Sequence, residues 1–213
     1  MTVAPRAALL CGIYAIVDQS DVADPIAVAA ASLQAGIKIV QYRAKTAVVP
    51  SVARKLRDMT RDATALFIVN DDWRTALQGD ADGVHLGPGD PGFDDVESLR
   101  GAFGNRIVGL SCGTIEEARH AGASTADYVG VGPVYATASK SDAGDPLGLD
   151  RLARIAAATP LPVAAVGGIT LASIPGVRAA GAAMAAVISA LAAGPDPGVA
   201  AAGLVAAWNA VAR

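Results

Sequence analysis

The chain has 213 residues, of which 53% are hydrophobic and 17% charged, with a mean hydropathy of +0.41 and a formal net charge of -3. So apolar a chain is not a disordered polymer, because it has enough surface to bury to offset its conformational entropy; a domain of this size buries roughly 70% of its unfolded surface. The small negative charge excludes a general attraction to nucleic acid or an anionic membrane, so any bound anion must be held by a local cluster.

The segment 7–17 is apolar and follows Arg6, but Gly12 interrupts it and Asp18, Asp21 and Asp24 follow, which argues against a signal peptide. The apolar run 182–193 is too short to cross a bilayer. A cytoplasmic, soluble protein is expected. Cys11 and Cys112 are the only cysteines, and neither lies in a C-x-x-C or Cys/His pattern, which excludes a disulfide scaffold and speaks against zinc.

In chain order, short β-branched runs alternate with stretches rich in Ala, Leu and Arg. Strands are predicted at 13–17, 37–42, 66–69, 83–86, 107–110, 128–131, 163–166 and 184–188. They are continuous apolar runs, as parallel strands covered on both faces should be. Helices are predicted near 25–35, 50–63, 73–78, 94–102, 114–121, 147–158, 171–180 and 198–211. Ala35-Gly36 and Ala121-Gly122 read as helix stops, and Thr114 with Glu117 as a capping box. A doubly wound sheet would accommodate this alternation. Eight regular units in so short a chain instead predict an α/β fold, a (β/α)8 TIM barrel, with 1–213 as a single domain. Chemistry then belongs at the C-terminal ends of the strands.

Polar residues do cluster there. After the second strand, Gln41, Arg43 and Lys45 alternate and so share one face of an extended chain, an arrangement suited to a polyphosphate and equally to a solvated strand end. After the third and fourth come Asn70-Asp71-Asp72 and Gly87-Pro88-Gly89-Asp90. Asp72 precedes a helix and reads as its cap. Asp71 and Asp90 read as oxygen ligands for Mg²⁺, because cations lie opposite, although Asp also suits caps and turns. Ser111 ends the fifth strand. Cys112 has no histidine obviously placed to activate it, and His85 and His120 read as structural. The loop from Pro133 through Lys140 to Asp145 carries hydroxyls and a cation and suits a mobile lid. Gly167-Gly168 and Ile188-Ser189 stand where barrels commonly hold a phosphate on backbone N–H groups. No P-loop is present. The strand ends therefore offer one metal-assisted anion position and a second made of neutral donors.

This constellation resembles the thiamine-phosphate synthase family over nearly the whole chain. The matching blocks are Tyr14-Ala15-Ile16-Val17-Asp18, Val40-Gln41-Tyr42-Arg43-Ala44-Lys45, Val69-Asn70-Asp71, Asp82-Gly83-Val84-His85-Leu86-Gly87 with Asp90, and Gly109-Leu110-Ser111. They continue with Tyr128-Val129-Gly130-Val131-Gly132-Pro133-Val134, Thr137 to Lys140, Val166-Gly167-Gly168-Ile169 and Ile188-Ser189-Ala190. The resemblance implies condensation of a hydroxymethylpyrimidine diphosphate with a thiazole phosphate, giving thiamine monophosphate and diphosphate. By motif, Gln41, Tyr42, Arg43, Ala44, Lys45, Asn70, Ser111 and Lys140 would bind the pyrimidine diphosphate. Asp71 and Asp90 would hold one Mg²⁺. Thr137, Ala138, Ser139, Gly168, Ile188 and Ser189 would bind the thiazole phosphate. Lys140, Arg43 and Lys45 would be catalytic, stabilising the departing diphosphate. Two positions depart from the family: Ser139 replaces a threonine and keeps the hydroxyl, and Pro88 replaces a glutamine and stiffens the approach to Asp90. The competing readings are a thiazole tautomerase, a thiamine-phosphate-binding module without turnover, and a phosphate-binding barrel isomerase of another pathway. Expected partners are small phosphorylated molecules, with no nucleic acid and no membrane; a homo-oligomer is left open.

Overall fold

The computed structural model describes residues 6–20, 24–45, 48–139 and 144–211. Its elements run β1 (Gly12–Asp18), α1 (Pro25–Gln34), β2 (Ile39–Arg43), α2 (Pro50–Asp62), β3 (Leu66–Asn70), α3 (Trp73–Gln78), β4 (Gly83–Leu86) and α4 (Val96–Phe103). They continue with β5 (Ile107–Cys112), α5 (Ile115–Ala123), β6 (Tyr128–Val131), α6 (Gly148–Ala156), β7 (Val163–Val166), α7 (Ile174–Ala179), β8 (Met184–Val187) and α8 (Pro197–Ala210). Short 3-10 helices occupy Arg6–Leu9, Leu171–Ser173 and Ser189–Ala192. Each strand pairs in parallel with the next, and β8 pairs with β1, so the sheet closes on itself. Among the described residues no helix is long and apolar enough to cross a membrane.

The two-residue period of the strands sorts their side chains into two shells. One set, including Val17, Tyr42, Val69, Leu86, Val131 and Val187, packs outward against the helices. The other set fills the barrel: Tyr14, Ile16, Ile39, Leu66, Ile68, Ile107, Tyr128, Ala164, Met184 and Ala186, with Leu10 beside them. Helices lay narrow apolar stripes over the outer shell. α2 buries Ala53, Leu56 and Thr60 and turns its charged positions away, except Arg57, which reaches Asp82. Each fully buried leucine or isoleucine of this kind stabilises the fold by about 2 kcal/mol.

The βα turns end in acceptors that hold the first free N–H groups of the next helix. Asp24 accepts from Ile26 and Ala27, Asp72 from Arg74 and Thr75, Asp95 from Ser98, and Asp196 from Gly198 and Val199. Thr114 and Glu117 form the expected capping box. Of the boundaries that differ from the sequence reading, three have a plain cause. β2 begins at Ile39, because the Ile37 N–H closes the end of α1 on Ser32. α5 passes through Gly122 and ends at Ala123; Gly122 marks a close approach instead of a stop, since a Cβ there would lie 2.8 Å from Cδ of Pro160. The stretch from 171 is a 3-10 turn that becomes α-helical only at Ile174, with Pro175 in the first turn, where its missing N–H costs nothing.

Candidate active site

At the top of the barrel the strand ends contribute a polar layer. β1 and β2 are in register so that Asp18 and Arg43 stand side by side. Asp18 is fully buried; it accepts from the Ser20 N–H at 2.8 Å and forms an ion pair with Nη1 of Arg43. Burial alone would raise its pKa, but the Ser20 N–H and the Arg43 guanidinium hold the carboxyl below its ordinary value. Nη1 of Arg43 also donates to the Ser139 carbonyl at 3.3 Å, linking the end of β2 to the loop after β6. Arg43 is thus aimed by a buried anion on one strand and by a carbonyl on the far side of the mouth.

Beyond β3, Asp71 has a positive φ of 68°, its N–H donating to the His85 carbonyl at 2.8 Å. This conformation brings its carboxyl to Asp90, Arg43 and Asn70. Burial and the neighbouring Asp90 charge raise its pKa to about 6, with Arg43 and Asn70 opposing the shift. Asp90 arrives on a tight turn. Its N–H donates to the Gly87 carbonyl at 3.0 Å, Gly89 has φ +90°, and Pro88 fills the second position, as in a type II turn. Asp90 Oδ2 in turn accepts from the Gly87 N–H at 2.6 Å. Pro88 therefore suits the turn that presents Asp90. Gly87 keeps the space beside it open: a Cβ there would lie 3.5 Å from Asp90 Oδ2 and 3.7 Å from Ser111 Oγ.

Below this layer a chain of hydrogen bonds crosses the barrel. Gln41 Nε2 donates to Tyr14 Oη at 2.8 Å, the Tyr14 and Tyr128 hydroxyls are 2.9 Å apart, and Tyr128 Oη lies 3.0 Å from Nδ1 of His85. Nε2 of His85 lies 3.1 Å from Ser111 Oγ, which faces the mouth beside Asp90. The His85 and Tyr128 rings stack with centroids 5.5 Å apart.

Comparison with known proteins follows the same line. A family model described as thiamine monophosphate synthase matches residues 13–191. The chain is 44% identical over 209 residues to a thiamine-phosphate synthase of Anaeromyxobacter dehalogenans, covering 97% of this chain and 92% of that protein. The chain belongs to the thiamine monophosphate synthase family. It also matches a thiamine biosynthesis bifunctional protein of Symbiobacterium thermophilum, 44% identical over 182 residues; the match covers 84% of this chain and 38% of that longer protein. A solved thiamine phosphate pyrophosphorylase from Pyrococcus furiosus superposes with a TM-score of 0.85 at 32% identity, covering 94% of this chain and 96% of that one. Family membership makes the protein a transferase of thiamine biosynthesis.

The residues expected to serve the family reaction do not all come together. Arg43, Asn70, Asp71 and Asp90 converge, and Ser111 lies beside Asp90 across Gly87. Lys45 is exposed and shares with Asn70 and Asp71 a groove of about 720 Å³ that runs out between α2 and α3. Gln41 lies deeper than its alternation with Arg43 and Lys45 suggests, 3% exposed and bonded to Tyr14. Tyr42 faces outward, donating to Gln19 at 2.6 Å, and Ala44 packs against the outer shell, so neither side chain joins the barrel interior.

On the other side of the mouth, Thr137 Oγ1 accepts from the Ser139 N–H at 3.3 Å, and Ala138 is exposed. The loop after β7 is tied to the loop after β6 by the Val134 and Tyr135 N–H groups, which donate to Val166 and Gly167. Gly168 has φ +63° and lies so close to that loop that a Cβ would meet the Ala136 carbonyl at 2.4 Å. Ile188 and Ser189 open the 3-10 turn after β8. Lys140 lies outside the described residues, as does most of the polar stretch after it. Cys112 is buried on the outer face of β5, its thiol pushed up to about 12 by burial and by Glu117, which fits its reading as inert. Asp18, Tyr14 and Tyr128 lie in the matching blocks, but the sequence reading assigns them no role in the site. Beyond those blocks, their local signal is a polar group at an inward position of an otherwise apolar strand.

Proposed function

We propose that the protein joins 4-amino-2-methyl-5-(diphosphooxymethyl)pyrimidine to 4-methyl-5-(2-phosphooxyethyl)thiazole or its 2-carboxy form, releasing thiamine monophosphate and diphosphate, with carbon dioxide as well from the carboxylated form. The carrying observation is the convergence of Arg43, Asn70, Asp71 and Asp90 on one side of the barrel mouth. In the reaction the C–O bond to diphosphate breaks and the thiazole nitrogen forms a C–N bond to the pyrimidine methylene carbon. The aminopyrimidine ring can carry the developing cation by resonance, so no covalent enzyme intermediate is required. This agrees with the cations and hydroxyls that the described residues bring to the mouth.

Two adjacent carboxylates, one with its pKa raised by burial and by the other, suit a hard divalent cation such as Mg²⁺. Among the described residues no third acidic, His or Cys ligand joins them, leaving positions for substrate oxygens and water. Bound there, Mg²⁺ would neutralise charge on the diphosphate. Asp71 and Asp90 would hold it, and Arg43, aimed by Asp18, would meet the leaving oxygens with Lys45 and Lys140. Ser111 and Asn70 would add neutral donors. Thr137, Ser139, Gly168, Ile188 and Ser189 would bind the thiazole phosphate opposite, so that its ring nitrogen approaches the methylene carbon.

The test mixes purified protein, the pyrimidine diphosphate, the thiazole phosphate and Mg²⁺, and reads thiamine monophosphate by fluorescence after oxidation, with an EDTA control. EDTA-sensitive product is expected. No product from folded protein that still binds thiazole phosphate would overturn the synthase reading in favour of a tautomerase or a silent binding module.

A further inference from the structure

The buried chain that ends at Ser111 has a direction. An amide nitrogen has only hydrogens to give, so the Tyr14 oxygen accepts from Gln41, and a hydroxyl polarised by accepting one bond donates the next more strongly, here toward Tyr128 2.9 Å away. In that ordering Tyr128 donates to Nδ1 of His85, 3.0 Å away, and the ring carries its hydrogen on Nε2, 3.1 Å from Ser111 Oγ. Burial raises both tyrosine hydroxyls above their ordinary pKa, so both keep the hydrogens this ordering needs. The rings have dedicated space. A Cβ at Gly109 would fall 2.1 Å from Tyr128 Cζ, and one at Gly130 2.7 Å from His85 Cε1.

We propose that the Gln41–Tyr14–Tyr128–His85 chain fixes His85 as its Nε2–H tautomer and so turns the Ser111 hydroxyl hydrogen toward the barrel mouth, making His85 and Tyr128 positioning residues for the anion held there. With the chain reversed, Ser111 would donate inward to His85 and offer the mouth only lone pairs. The inference deepens the proposed function and rests on it only for the identity of the anion.

The chain contains two histidines, and His120 is exposed on α5, so His120→Gln leaves His85 as the sole imidazole. Long-range ¹H–¹⁵N correlation on this ligand-free variant is expected to show one neutral tautomer with hydrogen on Nε2. Hydrogen on Nδ1, or on both nitrogens, overturns the proposal, and this reading depends neither on activity nor on any change within the wire. In the same background Tyr128→Phe is expected to convert the single tautomer into a mixture; an unchanged tautomer overturns it. Ser111→Ala and Tyr128→Phe are each expected to lower kcat for the condensation about tenfold, the scale of one hydrogen bond to a charged group. The double variant should lose no more than about tenfold, because both changes remove the same donor. Independent losses that multiply to about a hundredfold would mean that Tyr128 acts only through packing. If no thiamine monophosphate forms at all, the proposed reaction fails while the tautomer still decides the wire.

Discussion

Asp71 combines a left-handed backbone with a carboxyl whose pKa is raised. For a residue other than glycine that backbone costs about 1 kcal/mol, and the carboxyl titrates near 6 against an ordinary 3.8. Because the folded pKa lies above the unfolded one, the folded state binds the proton more tightly. The electrostatic cost is absent below about pH 4, grows between 4 and 6, and is fully present at neutral pH. After discounting for solvent, it amounts to about 1 kcal/mol. Thermal melts in Mg²⁺ and in EDTA should therefore differ by a few degrees at pH 7.5 and hardly at all at pH 5. Asp71→Asn should remove the difference and raise the metal-free Tm at pH 7.5. Equal gains at both pH values would refute the assignment. The sequence showed Asp71 and Asp90 as a pair because topology places successive βα loops together. It did not show Asp18, since an aspartate at a strand end looks solvated until register places Arg43 beside it.

At the scale of elements, β4, β5 and β6 act as one unit. His85, Gly109 and Tyr128 are register partners across three strands, and the bare Gly109 backbone accommodates the Tyr128 ring. Gly109→Ala should overpack this centre and destabilise by about 2 kcal/mol, lowering Tm by roughly 4–8 °C, with loss of the near-UV tyrosine signal. An unchanged Tm would mean that the rings can move aside. The strands themselves were legible because continuous apolar runs of this length, separated by capped helices, have few alternatives. The wire was not. Tyr14 and Tyr128 are 114 residues apart, and an inward tyrosine or histidine in an apolar run has the same local signature as ordinary core. Strand glycines gave the one available hint, since they weaken a strand unless something must approach closely.

Across the whole molecule, the two ends of the barrel do different work. The bottom is tied by carboxylates that serve both a neighbouring strand and an arginine. Asp82 Oδ2 accepts from the Phe67 N–H and from Arg57, each at 3.0 Å, and Asp127 Oδ2 accepts from the Val108 N–H at 2.8 Å and from Arg100. Asp82→Ala would leave the largely buried Arg57 without this partner and should cost about 3 kcal/mol, read as a lower urea midpoint. Turnover per folded molecule should not change, because Asp82 lies far from the mouth along the strand direction. A selective loss of turnover would show that the two ends are coupled.

The proline turn at the mouth has a kinetic meaning. A ligand-holding carboxylate on a floppy loop must be captured afresh on every encounter, and the freedom it loses each time slows assembly of the bound complex. With Pro88 restricting the backbone and the Gly87 N–H gripping Oδ2, that freedom is surrendered once, when the chain folds. On the proposed function Asp90 would then stand ready before any ligand arrives, and the waiting time before chemistry would pass to other parts of the mouth.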